Sequence, residues 1–150
     1  MYKRILVPVD GSRASGLGLD QAIKLAKDQE ATLFILHVVD IRVIAQSLGM
    51  GAAGSERLFT SLGNNGKQIL AKAEAQASRQ RVTVKSILIE NNVRSVDTVI
   101  VAQAKKCRAD LIVIGTHGRR GLSRMVMGSD AEGVVRNAPV PVLLVRSKAR

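Results

Sequence analysis

Short apolar runs rich in β-branched residues alternate along this chain with segments of helical periodicity, and this alternation restricts the fold more than any other feature. The runs cover residues 3–9, 31–38, 82–89, 110–115 and 140–146. One face of the helix predicted over 13–28 collects small and apolar residues: Ser15, Leu19, Ala22, Ile23 and Ala26. Strands separated by helices pair in parallel within one sheet. The sequence therefore predicts a doubly wound α/β fold with five strands and four helices, with helices on both faces of the sheet.

The other predicted helices follow from caps and interruptions. A long helix is predicted between residue 55 and about Gln80, with Leu58, Leu62, Ile69, Ala73 and Ala77 on one side. Glycines at 63 and 66 weaken its first half, because each costs about 1 kcal/mol relative to alanine. Ser95 caps a predicted helix that ends at Cys107, and the last helix is predicted near 129–137. Pro141 indicates that the final strand lies at an edge of the sheet.

The segment 40–55 contains a G-x-G-x-x-G pattern at Gly49, Gly51 and Gly54. A dinucleotide-binding loop of this kind follows a strand end directly, and this one does not. We therefore interpret the segment as a mobile lid rich in small residues.

The fourth apolar run leads into a glycine-rich loop, Gly115-Thr-His-Gly118, which is followed after nine residues by Gly128-Ser129. Glycines let the backbone turn sharply and approach a ligand without a Cβ in the way. Ser129 and Glu132 have the spacing of a capping box, which predicts a helix whose free N–H groups point back at the loop. Such a helix end attracts anions, and phosphate in particular.

Arginines in the same loop strengthen this interpretation. Arg119, Arg120 and Arg124 lie inside the loop, between Gly118 and Gly128, and guanidinium groups suit phosphate oxygens. We predict a nucleotide-phosphate site at this loop. The alternative is a connection that only turns a corner, with its arginines solvated.

Two further polar residues lie near the carboxyl ends of the first two strands. Asp10 would meet the glycine loop if the first and fourth strands were neighbours, since ligands bind outside the carboxyl ends of such strands. Its carboxylate could then contact a ribose hydroxyl or a divalent cation, or it could simply form an Asx turn. His37 could be a ligand or an acid/base group, but no second histidine or cysteine lies at metal-ligand spacing, which favours a half-buried strand residue.

Composition limits the classes open to this chain of 150 residues. The length predicts one domain over 1–150. Aromatic residues make up only 2% of the chain, which argues against base stacking as a binding mode. Cys107 is the single cysteine, so an intrachain disulfide is excluded. No apolar run approaches the roughly 18 residues of a membrane span, and the start of the chain leads into a strand rather than a signal peptide, so we expect a cytoplasmic protein.

The net charge of +11 is concentrated in the second half of the chain. Residues 76–150 carry 14 Lys and Arg against 5 Asp and Glu, whereas residues 1–75 carry 9 against 7. A positive field attracts polyanions such as nucleotides, nucleic acids or an acidic membrane surface. Charge alone does not choose among them, and a nucleic-acid partner has no support beyond it.

Three segments together resemble the universal stress proteins, in the branch that binds ATP. They are Val7-Pro-Val-Asp10-Gly-Ser12, the gapped pattern G-x2-G-x9-G-S from Gly115 to Ser129, and Ala138-Pro-Val-Pro-Val-Leu-Leu-Val145. The resemblance extends over essentially the whole chain. It implies a Rossmann-like sheet of the adenine nucleotide alpha hydrolase type, with strand order 3-2-1-4-5 and a nucleotide at the point where the order reverses.

The resemblance also implies roles for particular residues. Asp10 would contact the ribose or a magnesium ion carried by the nucleotide, and the final strand, 140–145, would pair with a second copy to form a homodimer. Members that bind ATP are mostly binders or switches with weak or no hydrolysis, so no catalytic residue is assigned. The residues expected around ATP, ADP or AMP are Pro8, Val9, Asp10, Ser12, Val38, Gly115, His117, Gly118, Arg119, Gly128, Ser129 and Asp130.

Asp130 departs from the family pattern, which usually has a small or apolar residue there. An aspartate suits the first turn of a helix, but its charge could weaken triphosphate binding or favour fewer phosphates, and the nearby arginines could offset this. Three functions stay open: a nucleotide-binding regulatory protein, a weak ATPase or autophosphorylating enzyme, and a nucleotide-free dimeric adaptor for a protein or nucleic acid. The enzyme is disfavoured because no G-x-x-x-x-G-K-[ST] loop is present, although His117 or Asp10 could position a water molecule.

Overall fold

A computed structural model describes residues 1–41, 49, 52–91, 93–116 and 127–146. Within these residues strands and helices alternate, as the sequence predicts. The elements are β1 (Arg4–Pro8), α1 (Arg13–Asp28), β2 (Thr32–Asp40), α2 (Ala52–Arg79), β3 (Val84–Asn91), α3 (Val96–Lys106), β4 (Leu111–Gly115), α4 (Ser129–Asn137) and β5 (Val142–Val145).

The strands form one parallel sheet of order β3-β2-β1-β4-β5. The predicted α/β class and the strand order implied by the family resemblance are both confirmed. β1 lies at the centre, and its Ile5, Leu6 and Val7 are completely buried. A strand covered on both faces needs apolar side chains on both, which explains its uninterrupted apolar run.

Two hydrophobic cores lie on opposite faces of the sheet. Alternate residues of β1 serve different cores: Ile5 and Val7 pack under α1 and α2, whereas Leu6 packs under α3 and α4. Full burial of each such side chain stabilises the fold by about 1.5–3 kcal/mol. The two cores fix the helices to the sheet and thereby fix the loops at its edges.

The helix α1 has the bounds that the sequence predicts, and α2 does not. α2 starts at Ala52, so the prediction of a loop through residue 55 was wrong. The helix runs without a break through Gly63 and Gly66, which were expected to weaken its first half. Both glycines are buried against β2 and β3. A Cβ on Gly63 would lie 3.4 Å from the carboxylate of Glu90, and one on Gly66 would lie 2.8 Å from the His37 ring. Close packing against the His37 ring offsets the low helix propensity of Gly66, whereas the 3.4 Å contact at Gly63 is an ordinary one.

β2 is longer than predicted. Val39 and Asp40 pair with Glu90 and Asn91 of β3, so the strand continues two residues beyond the predicted apolar run 31–38. β5 lies at an edge of the sheet, as Pro141 predicts. Of the G-x-G-x-x-G pattern, Gly51 lies outside the described residues.

The first three helices end in the same way. In each, a residue other than glycine adopts a left-handed conformation, and the next amide bonds back to a carbonyl five residues earlier, as in a Schellman motif. The left-handed residues are Glu30, Arg81 and Arg108, with φ of 52°, 61° and 52°. The bonds run from Ala31 to Ala26, from Val82 to Ala77 and from Ala109 to Ala104.

Candidate functional site

The carboxyl ends of β1 and β4 lie side by side. Ile5 pairs with Leu111 and Leu6 with Ile112, so the chain leaves both strands at the same edge of the sheet. The strand order reverses at this point, where ligands bind in open α/β sheets. Because β1 and β4 are neighbours, Asp10 and the start of the glycine loop lie at the same edge of the sheet, as the sequence predicts.

The turn between β1 and α1 is built around Asp10. Its Oδ1 accepts a hydrogen bond from the Ser12 amide at 2.8 Å, and Gly11 between them has a φ of 80°. The Ser12 hydroxyl caps α1 by accepting from the Ser15 amide at 3.1 Å. The Asx turn that the sequence left as an alternative for Asp10 is present, and it holds the half-buried carboxylate at the edge of the sheet.

The start of the glycine loop touches the first turn of α1. A Cβ on Gly115 would collide with the Ala14 carbonyl oxygen and would lie 3.1 Å from the Ser15 amide nitrogen. In return, a Cβ on Gly18 would lie 3.1 Å from the Gly115 nitrogen. Gly115 is therefore required for close packing, which brings the loop against the segment that follows Asp10.

The two ends of the loop meet. The Gly128 amide donates to the Thr116 carbonyl at 2.7 Å, and the Thr116 amide donates to Val145 of β5 at 3.0 Å. The start of α4 is thus held beside the end of β4. His117, Gly118 and Arg119 lie outside the described residues, as do the other arginines of the loop.

The cap of α4 differs from the prediction. Gly128, not Ser129, is the N-cap, and it has no side chain to cap the helix, so the predicted capping box of Ser129 and Glu132 was wrong. The Glu132 carboxylate instead pairs with Arg136 one turn later, at 2.9 Å. Ser129 is therefore the first helical residue, and its side chain is exposed, as is that of Asp130. First-turn amides of a helix have no carbonyl partner within it, so this end remains suited to an anion.

The remaining predicted residues, at the ends of β1 and β2, lie on different faces of the sheet. Val9 is buried in the first core, and its amide donates to Leu36 at 2.8 Å. Val38 is half-buried against the second core, and Pro8 ends β1. Both valines lie near the carboxyl edge, but on opposite faces of the sheet.

His37 is more buried than predicted, with 7% of its surface exposed. Its Nδ1 lies 2.7 Å from the Val9 carbonyl oxygen. Among the described residues no group of three His, Cys, Asp or Glu side chains could hold a metal ion. The prediction that His37 belongs to the strand is confirmed.

Two residues at the site were missed as functional candidates. The Ser15 hydroxyl accepts from the Asp10 amide at 3.3 Å and donates to the Ser12 carbonyl at 3.0 Å. Thr116 anchors both ends of the glycine loop. The sequence signal for Ser15 was a lone hydroxyl on the inward face of α1, whereas Thr116 acts through its backbone, which leaves no signal in the residue type.

A group of basic residues lies at the opposite, amino edge of the sheet, where β1 begins and α3 ends. We define the amino-edge basic cluster as the exposed residues Lys3, Arg4, Lys105, Lys106 and Arg108. Arg4 Nε donates to the Arg108 carbonyl at 2.5 Å, which holds the two side by side. Basic residues at the end of a helix such as α3 interact favourably with its dipole.

Cys107 lies at the end of α3. Burial raises the pKa of the Cys107 thiol, so this residue is a weak nucleophile at neutral pH.

A sequence model of the universal stress protein family matches residues 1–146. The chain belongs to the universal stress protein family. A universal stress protein of Methanocaldococcus jannaschii is 37% identical over 147 residues, which cover 97% of this chain and 83% of that protein. A crystal structure of a family member from Burkholderia pseudomallei is 30% identical, with a TM-score of 0.78 and 97% of each chain covered.

Several universal stress proteins of similar fold have been solved with nucleotides. One from Arabidopsis thaliana, with AMP bound, has a TM-score of 0.71 at 16% identity and covers 98% of this chain and 93% of its own. One from Archaeoglobus fulgidus, in complex with dAMP, has a TM-score of 0.67 at 21% identity and covers 95% and 97%. Another is in complex with cAMP, with a TM-score of 0.66 at 22% identity and 97% of both chains covered.

No helix in the described part of this universal stress protein is long and apolar enough to cross a membrane.

Proposed function

We propose that this universal stress protein binds an adenine nucleotide at the carboxyl edge of β1 and β4 and acts as a regulatory switch in a stress response. The observation that carries the proposal is the bond between the Gly128 amide and the Thr116 carbonyl, because it sets the start of α4 beside the end of β4. The contact of Gly115 with Ala14 then brings this anion-binding helix end to the Asp10 turn. Structures of other family members with AMP, dAMP and cAMP support the same ligand class.

The proposed site has an adenosine half and a phosphate half. Pro8, Val9, Asp10, Ser12 and Val38 border the adenosine, with the Asp10 carboxylate at the ribose. The phosphates lie at the glycine loop and the first turn of α4, on Gly115, His117, Gly118, Arg119, Gly128 and Ser129.

A magnesium ion would enter this site with the nucleotide. One Asp10 oxygen already accepts the Ser12 amide, and the described residues offer no three-residue metal cluster. Magnesium bound by one carboxylate, phosphate oxygens and water fits such a site, because Mg²⁺ keeps several of its waters. Its chemistry there would be to neutralise phosphate charge.

Calorimetric titration with AMP, ADP and ATP, with and without magnesium, tests the proposal. Asp10→Asn keeps an oxygen for the Ser12 amide but removes the charge, so we expect the turn to persist and affinity to fall about tenfold. Asp28→Asn, an exposed change at the far end of α1, is the matched control. Equal affinities for the wild type and both variants would contradict the assignment of Asp10.

The phosphate half is tested by Gly118→Val combined with Gly128→Val. Gly128 has a φ of −58° and a ψ of 150°, which a valine backbone adopts without strain. At residue 128 a loss of binding would therefore come from side-chain bulk in the path of the phosphates, and Gly128→Val alone isolates this effect. Retained affinity in a folded double variant would count against the site. If the wild type hydrolyses ATP faster than this variant at steady state, the alternative function of a weak ATPase would be favoured.

Asp130 bears on how many phosphates the site prefers. It lies exposed in the first turn of α4, next to the residues on which the proposed phosphates lie. We propose that Asp130 disfavours the γ-phosphate by like-charge repulsion. Asp130→Ala should then raise the affinity for ATP more than that for AMP. An unchanged ATP to AMP ratio would contradict this role.

We further propose that the protein is a cytoplasmic homodimer joined through β5. β5 is an edge strand, and its Leu143 and Leu144 are 38% and 36% exposed. An unpaired edge with apolar side chains favours pairing with another strand.

The amino-edge basic cluster is the observation that favours a second function, that of an adaptor for nucleic acid. In that case a DNA duplex would bind at physiological salt with an affinity that falls steeply as salt rises. If the protein binds adenine nucleotide and no duplex, the nucleotide-binding switch is supported and the nucleic-acid adaptor is excluded.

A further inference from the structure

The peptide group that joins Val9 to Asp10 is held from both sides. Its carbonyl oxygen lies 2.7 Å from Nδ1 of His37, and its amide donates to the Ser15 hydroxyl at 3.3 Å. The plane of this peptide sets the direction in which the Asp10 backbone leaves β1. His37 and Ser15, which come from β2 and α1, therefore determine how Asp10 is presented.

The hydrogen bond fixes the proton on His37. A carbonyl oxygen can only accept, so Nδ1 must carry the hydrogen. The imidazole is buried, with 7% of its surface exposed. If this position served packing alone, an apolar side chain would be enough. Burial of a polar ring is unfavourable unless it is hydrogen-bonded. Its Nδ1 bonds to the peptide that precedes Asp10.

Helix α2 closes over the other side of this ring. A Cβ on Gly66 would lie 2.8 Å from Cδ2 and 3.2 Å from Nε2 of His37, and 3.0 Å from Cδ1 of Leu88. The backbone of α2 therefore rests on the imidazole at a position where no larger residue fits without a shift. Displacement of α2 at Gly66 would move the ring and, through it, the Val9 carbonyl.

We propose that His37 is a positioning residue for Asp10 and that Gly66 couples the position of α2 to the nucleotide site. The inference rests on the proposed function for its consequence, since Asp10 is there the residue at the ribose. It adds a path from α2, on one face of the sheet, to the β1–α1 turn. The path consists of two contacts, Gly66 to His37 and His37 to Val9.

Two variants of His37 and two glycine variants test the proposal. His37→Leu removes the donor and keeps an apolar side chain, whereas His37→Asn keeps an N–H donor close to the position of Nδ1. Gly66→Ala displaces the ring without removing it. Gly63→Ala is its matched control, because the added Cβ would meet only the mobile carboxylate end of Glu90 at 3.4 Å.

The first measurement is amide hydrogen exchange at Asp10 in the nucleotide-free protein. We expect exchange about tenfold faster in His37→Leu, with rescue in His37→Asn. Gly66→Ala should accelerate exchange at Asp10 and Gly63→Ala should not. Unchanged exchange in both His37→Leu and Gly66→Ala would overturn the proposal, and if His37→Leu does not fold, the glycine pair decides.

The second measurement is AMP affinity in a double-mutant cycle. His37→Leu should weaken binding about tenfold, and the double variant with Asp10→Asn should bind no more weakly than Asp10→Asn alone, because His37 acts through Asp10. Additive losses would overturn the positioning role. If the wild type binds no nucleotide, the proposed function fails, and the exchange measurement still decides whether His37 positions Asp10.

Discussion

Gly115 at the end of β4 packs so tightly against Ala14 in α1 that an added Cβ would lie 2.6 Å from the Ala14 carbonyl carbon. We predict that Gly115→Ala lowers the free energy of unfolding by about 1–3 kcal/mol, since helix and strand must separate to admit a methyl group. Urea denaturation measures the change. Nucleotide affinity should fall with it, because the same contact joins the loop to the Asp10 turn.

The control for this prediction is Gly16→Ala in the same helix. A Cβ on Gly16 would meet nothing within 4 Å, so the change should stabilise the protein by about 0.5–1 kcal/mol through helix propensity. Destabilisation of similar size in both variants would show that the contact of Gly115 with Ala14 has no special role.

The caps of α1 and α3 should differ in their contribution to stability. The Ser12 hydroxyl accepts the Ser15 amide, whereas that of Ser95 makes no cap hydrogen bond and bonds to the Thr98 hydroxyl instead. We predict that Ser12→Ala lowers the free energy of unfolding by about 1 kcal/mol and that Ser95→Ala lowers it by less than half of that. Thermal or urea denaturation of both variants measures the difference. A larger loss in Ser95→Ala would contradict the assignment.

Replacing the left-handed residue after α3 by glycine should stabilise the protein. Arg108 has a φ of 52°, a conformation that is unfavourable for any residue with a Cβ. We predict that Arg108→Gly raises the free energy of unfolding by about 0.5–1 kcal/mol. Arg108→Ala removes the same charge but keeps the Cβ, and it should not stabilise the protein. Equal urea midpoints for the two variants would attribute the gain to charge rather than backbone conformation.

The exposed leucines of β5 should govern the proposed dimer. We predict that Leu143→Lys shifts the protein to monomer, as measured by sedimentation equilibrium, because a charge would be buried at the paired edge. Val135→Lys changes a side chain that is 44% exposed and belongs to α4 rather than to the edge strand. It should leave the assembly unchanged. A monomeric wild type, or loss of the dimer in both variants, would contradict pairing through β5.

The parts of the fold that follow from local chemistry could be predicted from the sequence. Helix α1 has its predicted bounds because Ser12 caps it and its apolar face repeats with helical period. The adjacency of β1 and β4, on which the site depends, came from the family resemblance. Periodicity alone gives alternation but does not order the strands.

The errors arose where tertiary contacts outweigh local preference. Gly66 weakens a helix in isolation, but here it lets α2 approach His37, which no local rule reveals. Glu132 has capping-box spacing, but its carboxylate pairs with Arg136 instead. The role of His37 was similarly hidden, because its partner is a backbone carbonyl on a neighbouring strand.

The hydrogen bond between Thr116 and Gly128 closes the base of the glycine loop through main-chain atoms alone. The two ends of the loop between these positions are therefore held next to each other. The identity of the loop residues can change while the strand before them and the helix after them stay in place. A loop attached in this way can be exchanged as a cassette, which gives evolution, or a protein engineer, a route to new ligand preferences on an unaltered sheet.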